Sequence, residues 1–158
     1  MSVPVTIRLQ QDDFALATES ARLTGADTSI GAVVSFVGRC RGEEDGHDIA
    51  ALNLEHYPGM AEAEIARHVE DALTRWPLKG VTVIHRYGRI APGDNIVLVL
   101  TASSHRQAAF AAAEFLMDYL KTRAPFWKSD ERASGDRNWI DARDTDDDAA
   151  ARWDSAAN

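Results

Sequence analysis

The chain has 158 residues, 45% of them hydrophobic, and its 17 basic and 25 acidic side chains give a formal net charge of −8. This charge argues against a nucleic-acid partner, and the absence of any run of eighteen apolar residues argues against a membrane-spanning segment. The single cysteine, Cys40, cannot form an internal disulfide, and the N-terminus has no signal-peptide pattern, so we expect a cytoplasmic protein.

Hydrophobic periodicity and turn residues predict alternating strands and helices. In chain order these are a strand at 3–10, a helix from 12 or 13 to 23, strands at 30–37 and 49–57, a helix at 60–76, strands at 81–87 and 95–101, a helix at 105–123, and short strands near 126–128 and 139–141. The segment 39–48 is predicted to be a polar loop, and the acidic end at 144–158 to be solvated and frayed. This order predicts one α+β domain over residues 1–158, with helices against a mainly antiparallel sheet.

Two of the predicted helices are preceded by side chains that can cap them. Asp12 or Asp13 is placed to cap the first helix, and Ser103 or Ser104 to cap the helix at 105–123, which Pro125 ends. This last helix is therefore well bounded, and by its rise per residue it is roughly 25–28 Å long.

Lysine is rare in this chain, with three lysines against fourteen arginines, and two of them, Lys121 and Lys128, lie in the segment YLKTRAPFWK at 119–128. Arginine stays charged, whereas a lysine amine can lose its proton when it is desolvated or lies near another cation. It can then act as a base or a nucleophile. The alternative is that Lys121 is a cation at the C-terminal end of a helix and Lys128 a surface charge.

Cationic residues cluster after one strand and at both ends of this helix. In chain order they are Arg39, Arg41, His105, Arg106, Lys121, Arg123 and Lys128. Free backbone N–H groups favour an anion at the helix start, although the alternative there is a polar first turn. For the two arginines after the strand, the alternative is a solvated loop balanced by the acidic residues at 43–45. The two ends of so long a helix cannot both contact one small ligand within one subunit, so either they serve different sites or a second subunit supplies one set.

Other common kinds of site are not supported by the sequence. The five histidines lack the paired spacing of a zinc site, and His56 and His85, in predicted strands, are more readily explained as hydrogen-bonded structural residues. Cys40, between two arginines, could have a lowered pKa, but without a neighbouring base or a second cysteine it is not expected to be catalytic. No phosphate-binding glycine loop or nucleophile-elbow serine occurs, and we expect neither a metal nor a cofactor.

Five segments of the chain resemble the catalytic, or large, subunit of molybdopterin synthase. They are LEHYPGM at 54–60, RWPL at 75–78, VTVIHR at 81–86, PGD at 92–94 and MDYLKTRAPFWK at 117–128. The similarity covers nearly the whole chain from about residue 31 to residue 153, in order and with similar spacing. The last motif is the longest and most specific, and it contains both lysines.

The resemblance implies an α/β hammerhead-type fold with an additional small antiparallel sheet. It also implies a homodimer whose outer ends each bind a small ubiquitin-like sulfur-carrier subunit, which makes a heterotetramer. In that family the carrier's C-terminal Gly-Gly, activated as a thiocarboxylate, enters a pocket of the large subunit. Two such sulfurs convert cyclic pyranopterin monophosphate into the dithiolene of molybdopterin.

The resemblance also implies which residues form the site. Its catalytic and substrate-binding positions match Arg39, Cys40, Arg41, His105, Arg106, Lys121, Lys128, Ser129 and Asp130. Cys40 has no implied role of its own, Arg123 is a further candidate, and Arg143 matches a family arginine across a one-residue difference near Asn138. We expect Lys121 to handle protons or activate the thiocarboxylate, and Lys128 to stabilise developing negative charge or anchor the carrier terminus, although the two roles can be exchanged.

Two other functions are compatible with part of this pattern. A non-catalytic docking module for a ubiquitin-like partner would need the same basic pocket, but it would depend on Lys121 only for binding. A phosphate-ester hydrolase or thioesterase of similar build would need a nucleophile–base pair or a metal site, and the sequence has no such pattern.

Overall fold

The computed structural model describes residues 2–140 and 144–154. Its strands are β1 (Val5–Gln10), β2 (Ala32–Arg39), β3 (Glu43–Glu44), β4 (His47–His56), β5 (Leu78–Arg86), β6 (Gly88–Ile90), β7 (Asn95–Ser103), β8 (Phe126–Arg132) and β9 (Arg137–Ile140). Its helices are α1 (Leu16–Thr24), α2 (Met60–Arg75), α3 (Arg106–Thr122) and α4 (Asp144–Ala151), and a 3-10 turn (Arg152–Asp154) follows α4. Within this part of the chain no helix is long and apolar enough to cross a membrane.

The first sheet has four strands in the order β1-β5-β7-β2, antiparallel except for the β1–β5 pair. Side chains of its two central strands alternate between the two faces of the sheet, and both faces are buried. Val83 and Val99 pack beneath α2 and α3, whereas Ile84, Leu98 and Leu100 pack with residues of α1 and the segment before it. Burial on both faces explains why β7 is apolar along nearly its whole length.

The second sheet is antiparallel, with the order β3-β4-β8-β9, and β6 also pairs with β4. Its register places Lys128 of β8 opposite Leu54 of β4 and Ile140 of β9. A small apolar cluster of Cys40, Leu54 and Ile90 lies where this sheet meets the first. The predicted α+β fold with an additional small antiparallel sheet is confirmed.

Both predicted helix caps are wrong, because the side chains concerned form other hydrogen bonds. Helix α1 follows Ala15, and Oδ1 of Asp13 accepts hydrogen bonds from the Phe14 N–H at 2.8 Å and the Asn95 amide at 3.0 Å. The residue before α3 is His105, while the Ser103 hydroxyl donates to the Pro77 carbonyl at 2.8 Å and the Ser104 hydroxyl to the Ser29 carbonyl at 3.0 Å. These serines tie the start of α3 to neighbouring segments instead of capping it.

Two segments have more regular structure than the sequence predicted. The segment 39–48 includes a hairpin between β3 and β4, which turns at Asp45 and Gly46 with φ of 51° and 77°, values typical of a two-residue hairpin loop. The acidic end was predicted to be solvated, but residues 144–154 form α4 and the 3-10 turn. Trp153 there packs edge-on against Trp76 and Phe115 with ring centroids 5.6 Å apart in both pairs. These aromatic contacts hold the end of the chain against α2 and α3.

Candidate active site

A cavity of about 140 Å³ lies where the second sheet meets the C-terminal end of α3. Its charged lining consists of four cations and three carboxylates, namely Arg39, Arg41, Lys121, Lys128, Glu44, Asp130 and Asp146. Its apolar wall is formed by Ile49, Leu52, Ile96 and Ile140. Most of the predicted site residues therefore meet in one place, which we call the lysine cavity.

The two lysines reach this cavity from different elements. Lys121 lies in the last turn of α3, and Lys128 is the third residue of β8. Pro125 prevents the helix from continuing, so the chain reverses between them and both amines face the same space. Within residues 2–140 and 144–154, neither amine forms an ion pair or a hydrogen bond. Both are therefore available to an incoming anion.

The environment of Lys128 favours loss of its proton. Burial lowers the pKa of its amine to about 8, and the positive charge of Lys121 lowers it as well, while the carboxylates of Asp146 and Glu44 act in the opposite direction. With this pKa, about a quarter of the Lys128 amines are neutral at pH 7.5. Lys121 is exposed at the mouth of the cavity. Lys128 thus has a clear cause for losing its proton near neutral pH.

The two arginines are held at the cavity by different contacts. The Arg39 guanidinium donates two hydrogen bonds to the Gly93 carbonyl, at 2.6 Å from Nη2 and 3.2 Å from Nε. Arg41 forms an ion pair with Glu44 at 2.7 Å. The predicted balance by acidic residues is therefore correct for Arg41, but both side chains also line the cavity. Because the Arg41 side chain is 64% exposed, solvent weakens this ion pair, and an anionic ligand can compete with Glu44.

Cys40 lines the cavity with a buried thiol. Burial, together with the negative charge of Asp94, raises its pKa, so the expectation of a lowered pKa is wrong. Its Sγ lies 3.6 Å from the Arg41 carbonyl and 3.8 Å from the Ile90 carbonyl, distances that suit weak S–H donation. The thiol stays protonated and serves as a small packing residue.

Ser129 and Asp130 point in opposite directions, because side chains alternate along β8. Asp130 is 2% exposed and lines the cavity, and its Oδ1 has no hydrogen-bond partner among the described residues, with Arg132 Nε 3.8 Å away. The Ser129 hydroxyl accepts a hydrogen bond of 2.8 Å from Arg137 and is absent from the cavity wall. Of these two expected binding residues, the structure brings only Asp130 to the lysines.

His105 and Arg106 lie at the other end of α3, beside a separate open cavity of about 440 Å³ that Gly31 and Ser104 also line. Seventeen residues of helix separate the two ends by about 25 Å. Arg123 forms a two-point ion pair with Asp154, at 2.9 and 3.0 Å, and faces away from the lysine cavity. Arg143 lies outside the described residues.

Two further cavities beside the lysine cavity were not anticipated from the sequence. A cavity of about 70 Å³ is lined by Phe36, Met117 and the buried His85, and another of about 260 Å³ is lined by Trp127 and Trp139. Lys121 and Lys128 line both of these as well as the lysine cavity. The two lysine residues are therefore shared by all three cavities.

Comparison with known proteins identifies the family of this chain. The family model described as MoaE protein matches residues 9–123. A molybdopterin synthase catalytic subunit from Mesorhizobium japonicum is 58% identical over 153 residues, which cover 96% of this chain and 95% of that protein. The solved structure of a molybdopterin biosynthesis MoaE protein from Burkholderia ambifaria has a TM-score of 0.80 at 48% identity and covers 95% of this chain and 98% of its own.

A more distant structure, a molybdopterin synthase from Staphylococcus aureus, has a TM-score of 0.73 at 28% identity and covers 87% of this chain and 96% of its own. The similarity thus extends over the whole fold, including the segments that form the lysine cavity. The chain therefore belongs to the MoaE protein family, the catalytic subunits of molybdopterin synthase, which are sulfurtransferases of molybdenum cofactor biosynthesis.

Proposed function

We propose that this chain transfers sulfur from the thiocarboxylated C-terminus of a small ubiquitin-like carrier subunit to cyclic pyranopterin monophosphate, and that the lysine cavity is where the two meet. The observation that carries the proposal is the convergence of Lys121, Lys128, Arg39 and Arg41 on one cavity in a chain of net charge −8. A thiocarboxylate and a phosphate are both anions, so their approach needs local positive charge. Arginine suits the phosphate, since its planar guanidinium can donate two parallel hydrogen bonds.

The environments of the two amines support an exchange of the roles expected from the sequence. Lys128, with its pKa lowered to about 8, is suited to take or give a proton during attack of the sulfur on the pterin. Lys121, exposed at the mouth, is suited to stabilise the negative charge that develops there or to hold the carrier terminus. We assign the proton-transfer role to Lys128 for this reason.

We further propose that the active assembly contains two copies of the chain. His105 and Arg106 cannot reach the lysines of their own subunit across the length of α3, so a second subunit would have to supply them to a shared site. Strand β2 is an edge of the first sheet, and it exposes Val33 and Phe36, while α3 exposes Phe110 at 61%. Apolar residues exposed on an edge strand and a helix are the kind that a subunit interface covers.

We propose that the carrier tail enters through the cavity lined by Trp127 and Trp139. With one carrier on each of the two copies of the chain, the complete assembly is a heterotetramer. The indoles are 40% and 63% exposed, and their cavity of about 260 Å³ leads to both lysines. A Gly-Gly terminus has no side chains and could pass between aromatic walls. We expect the assembly to work in the cytoplasm, where the lone thiol of Cys40 would stay reduced.

The test is to mix the purified chain with thiocarboxylated carrier and cyclic pyranopterin monophosphate and to detect the dithiolene product by mass spectrometry. Lys121→Ala and Lys128→Ala are expected to abolish or strongly reduce product. Lys79→Ala, which changes the one lysine outside the cavity, is the matched control and should retain wild-type turnover. Carrier binding without any dithiolene in the wild type would favour a non-catalytic docking module instead.

A further inference from the structure

His85 is a buried polar residue that the proposed reaction does not yet use. It is 4% exposed on β5, on the face whose other members, Val81 and Val83, pack in the apolar core. Its ring stacks on Phe126, with centroids 4.1 Å apart and planes inclined by 17°. A polar ring costs free energy at such a position unless its nitrogens find partners. The partners of the two ring nitrogens are therefore informative.

One nitrogen of His85 has a partner that determines the tautomer. Nδ1 lies 2.8 Å from the Arg86 backbone carbonyl oxygen. A carbonyl can only accept, so Nδ1 carries the hydrogen and Nε2 keeps a lone pair. Burial lowers the pKa of His85 to about 4, and the positive charges of Lys128 and Lys121 lower it too, so the ring stays neutral at physiological pH. Nε2 is thus too weak a base to take a proton from an ammonium group, but it can accept a hydrogen bond.

Strand β8 brings Lys128 to the same place. Phe126, which stacks on His85, and Lys128 are two residues apart and share one face of the strand. His85 and Lys128 also line the same cavity of about 70 Å³, which has room for a water molecule between them. A side chain with N–H donors and a ring with a lone-pair acceptor thus line one small cavity.

We propose that His85 is a positioning residue for Lys128, whose amine donates a hydrogen bond to Nε2 through one bridging water. This contact holds Nζ at the cavities that the two lysines share. It rests on the proposed function in so far as Lys128 is the group that transfers protons. An ammonium donates a stronger hydrogen bond than a neutral amine, so the contact favours the charged form and opposes the effect of burial.

Other charges also act on these two groups and remain in place when His85 alone is changed. Those facing Lys128 from the surrounding elements are Lys121, Asp146, Glu44, Arg39, Arg41 and Asp130. His85 also lies near His56 of β4. The neighbouring Arg86 donates to the Gln11 and Asn95 carbonyls and is held away from the cavity. A change in the titration of Lys128 on substitution of His85 can thus be assigned to His85.

The experiment measures the pH midpoint of Lys128 acetylation in the purified chain, by limited reaction with acetic anhydride and mass spectrometry of the Lys128 peptide. In His85→Phe, which keeps a stacked ring but has no acceptor, the midpoint should fall by about one pH unit. In His85→Gln, whose amide oxygen can reach the position of Nε2, at least half of this fall should be recovered. Lys79 acetylation in the same samples gives the reference for reagent reactivity.

His68 offers a control, because it shares with His85 a contact between Nδ1 and a backbone carbonyl and a stacked aromatic ring, but it has different neighbours. It is half-buried, its Nδ1 lies 3.0 Å from the Glu64 carbonyl, and its ring stacks on Tyr119 at 3.3 Å. Among the described residues that line its cavity, none is a lysine. His68→Phe should therefore leave the Lys128 midpoint unchanged.

An unchanged midpoint in His85→Phe, or a His85→Gln midpoint as low as that of His85→Phe, would overturn the proposal. Nitrogen NMR of the wild-type chain gives a test that needs no variant: Nδ1 should be protonated, and the Nε2 signal should shift as Lys128 titrates near pH 8. A ring protonated at Nε2 would equally overturn the proposal. Neither measurement uses carrier or pterin, so its failure would overturn only the role of His85. The proposed function has a separate test: it would be refuted if Lys128→Ala transferred sulfur as fast as the wild type.

Discussion

Replacement of Lys128 by arginine separates the charge of this residue from its ability to lose a proton. The wild-type amine, with a pKa of about 8, is neutral in about a quarter of molecules at pH 7.5, whereas a guanidinium is never appreciably neutral in water. General acid–base catalysis contributes about 10²- to 10⁴-fold to a rate. We therefore expect Lys128→Arg to reduce single-turnover sulfur transfer by roughly 100-fold or more, while carrier binding changes by only a few fold because the positive charge remains.

The assay is rapid-quench sulfur transfer with saturating thiocarboxylated carrier, with product quantified by mass spectrometry and carrier affinity by titration calorimetry. Lys79→Arg is the control, since it makes the same chemical change outside the lysine cavity. A Lys128→Arg rate within about threefold of wild type would show that no proton passes through this residue. A loss of carrier affinity equal to the loss of rate would instead assign Lys128 to binding.

The same reasoning predicts the sign of the pH dependence. If the neutral amine is the reactive form, the wild-type rate should rise about tenfold per pH unit up to about pH 8 and then level off. The carboxylate of Asp146 favours the ammonium form, so Asp146→Asn should move the profile to lower pH. A shift to higher pH in this variant would contradict the assigned electrostatics.

Three further predictions concern other parts of the chain. Cys40→Ala should retain sulfur transfer at a rate near wild type, because burial raises the pKa of this thiol; a loss of more than about tenfold, at unchanged carrier affinity, would contradict this. Trp153→Ala should lower the free energy of unfolding in guanidinium by about 2–4 kcal/mol, since the indole packs on Trp76 and Phe115. A loss below about 1 kcal/mol would mean that these contacts do not anchor the end of the chain. His85 stays neutral in the folded state but is protonated below about pH 6.5 in the unfolded chain. Lowering the pH from 7 to 4.5 should therefore reduce the free energy of unfolding, measured with urea, by roughly 2–3 kcal/mol. This loss should largely disappear in His85→Phe.

The sequence allowed the cationic part of the site to be predicted because its residues follow strong local signals. Arg39 and Arg41 come directly after a β-branched strand, and Pro125 marks the reversal that brings Lys121 and Lys128 together. The length of the helix also predicted correctly that His105 would not join them. Strand alternation could have separated Ser129 from Asp130 as well, because only every second residue of a strand can face one cavity.

Other features depend on tertiary contacts that have no local pattern. Asp146 is brought to the lysine cavity by a chain end in which Trp153, seven residues later, packs on Phe115 of α3 and on Trp76, the residue after α2. An aspartate-rich run by itself predicts solvation. His85 is placed by Phe126, which belongs to the other sheet. The serines before α3 had the correct residue type for a cap, but partners distant in sequence outcompeted the local bond.

Carboxylates in the lysine cavity are unexpected for a proposed anion-binding site, but the energetics of burial explain them. Four cations packed together without substrate would repel one another and lose hydration, and Glu44, Asp130 and Asp146 offset part of that cost. In the proposed reaction Glu44 would give up Arg41 to a phosphate, because the Arg41 side chain is 64% exposed, whereas Asp130 is almost fully buried and would stay in place. Under the proposed function, the cavity would exchange one acidic partner for the substrate, while the other carboxylates offset the repulsion among the cations when no substrate is bound.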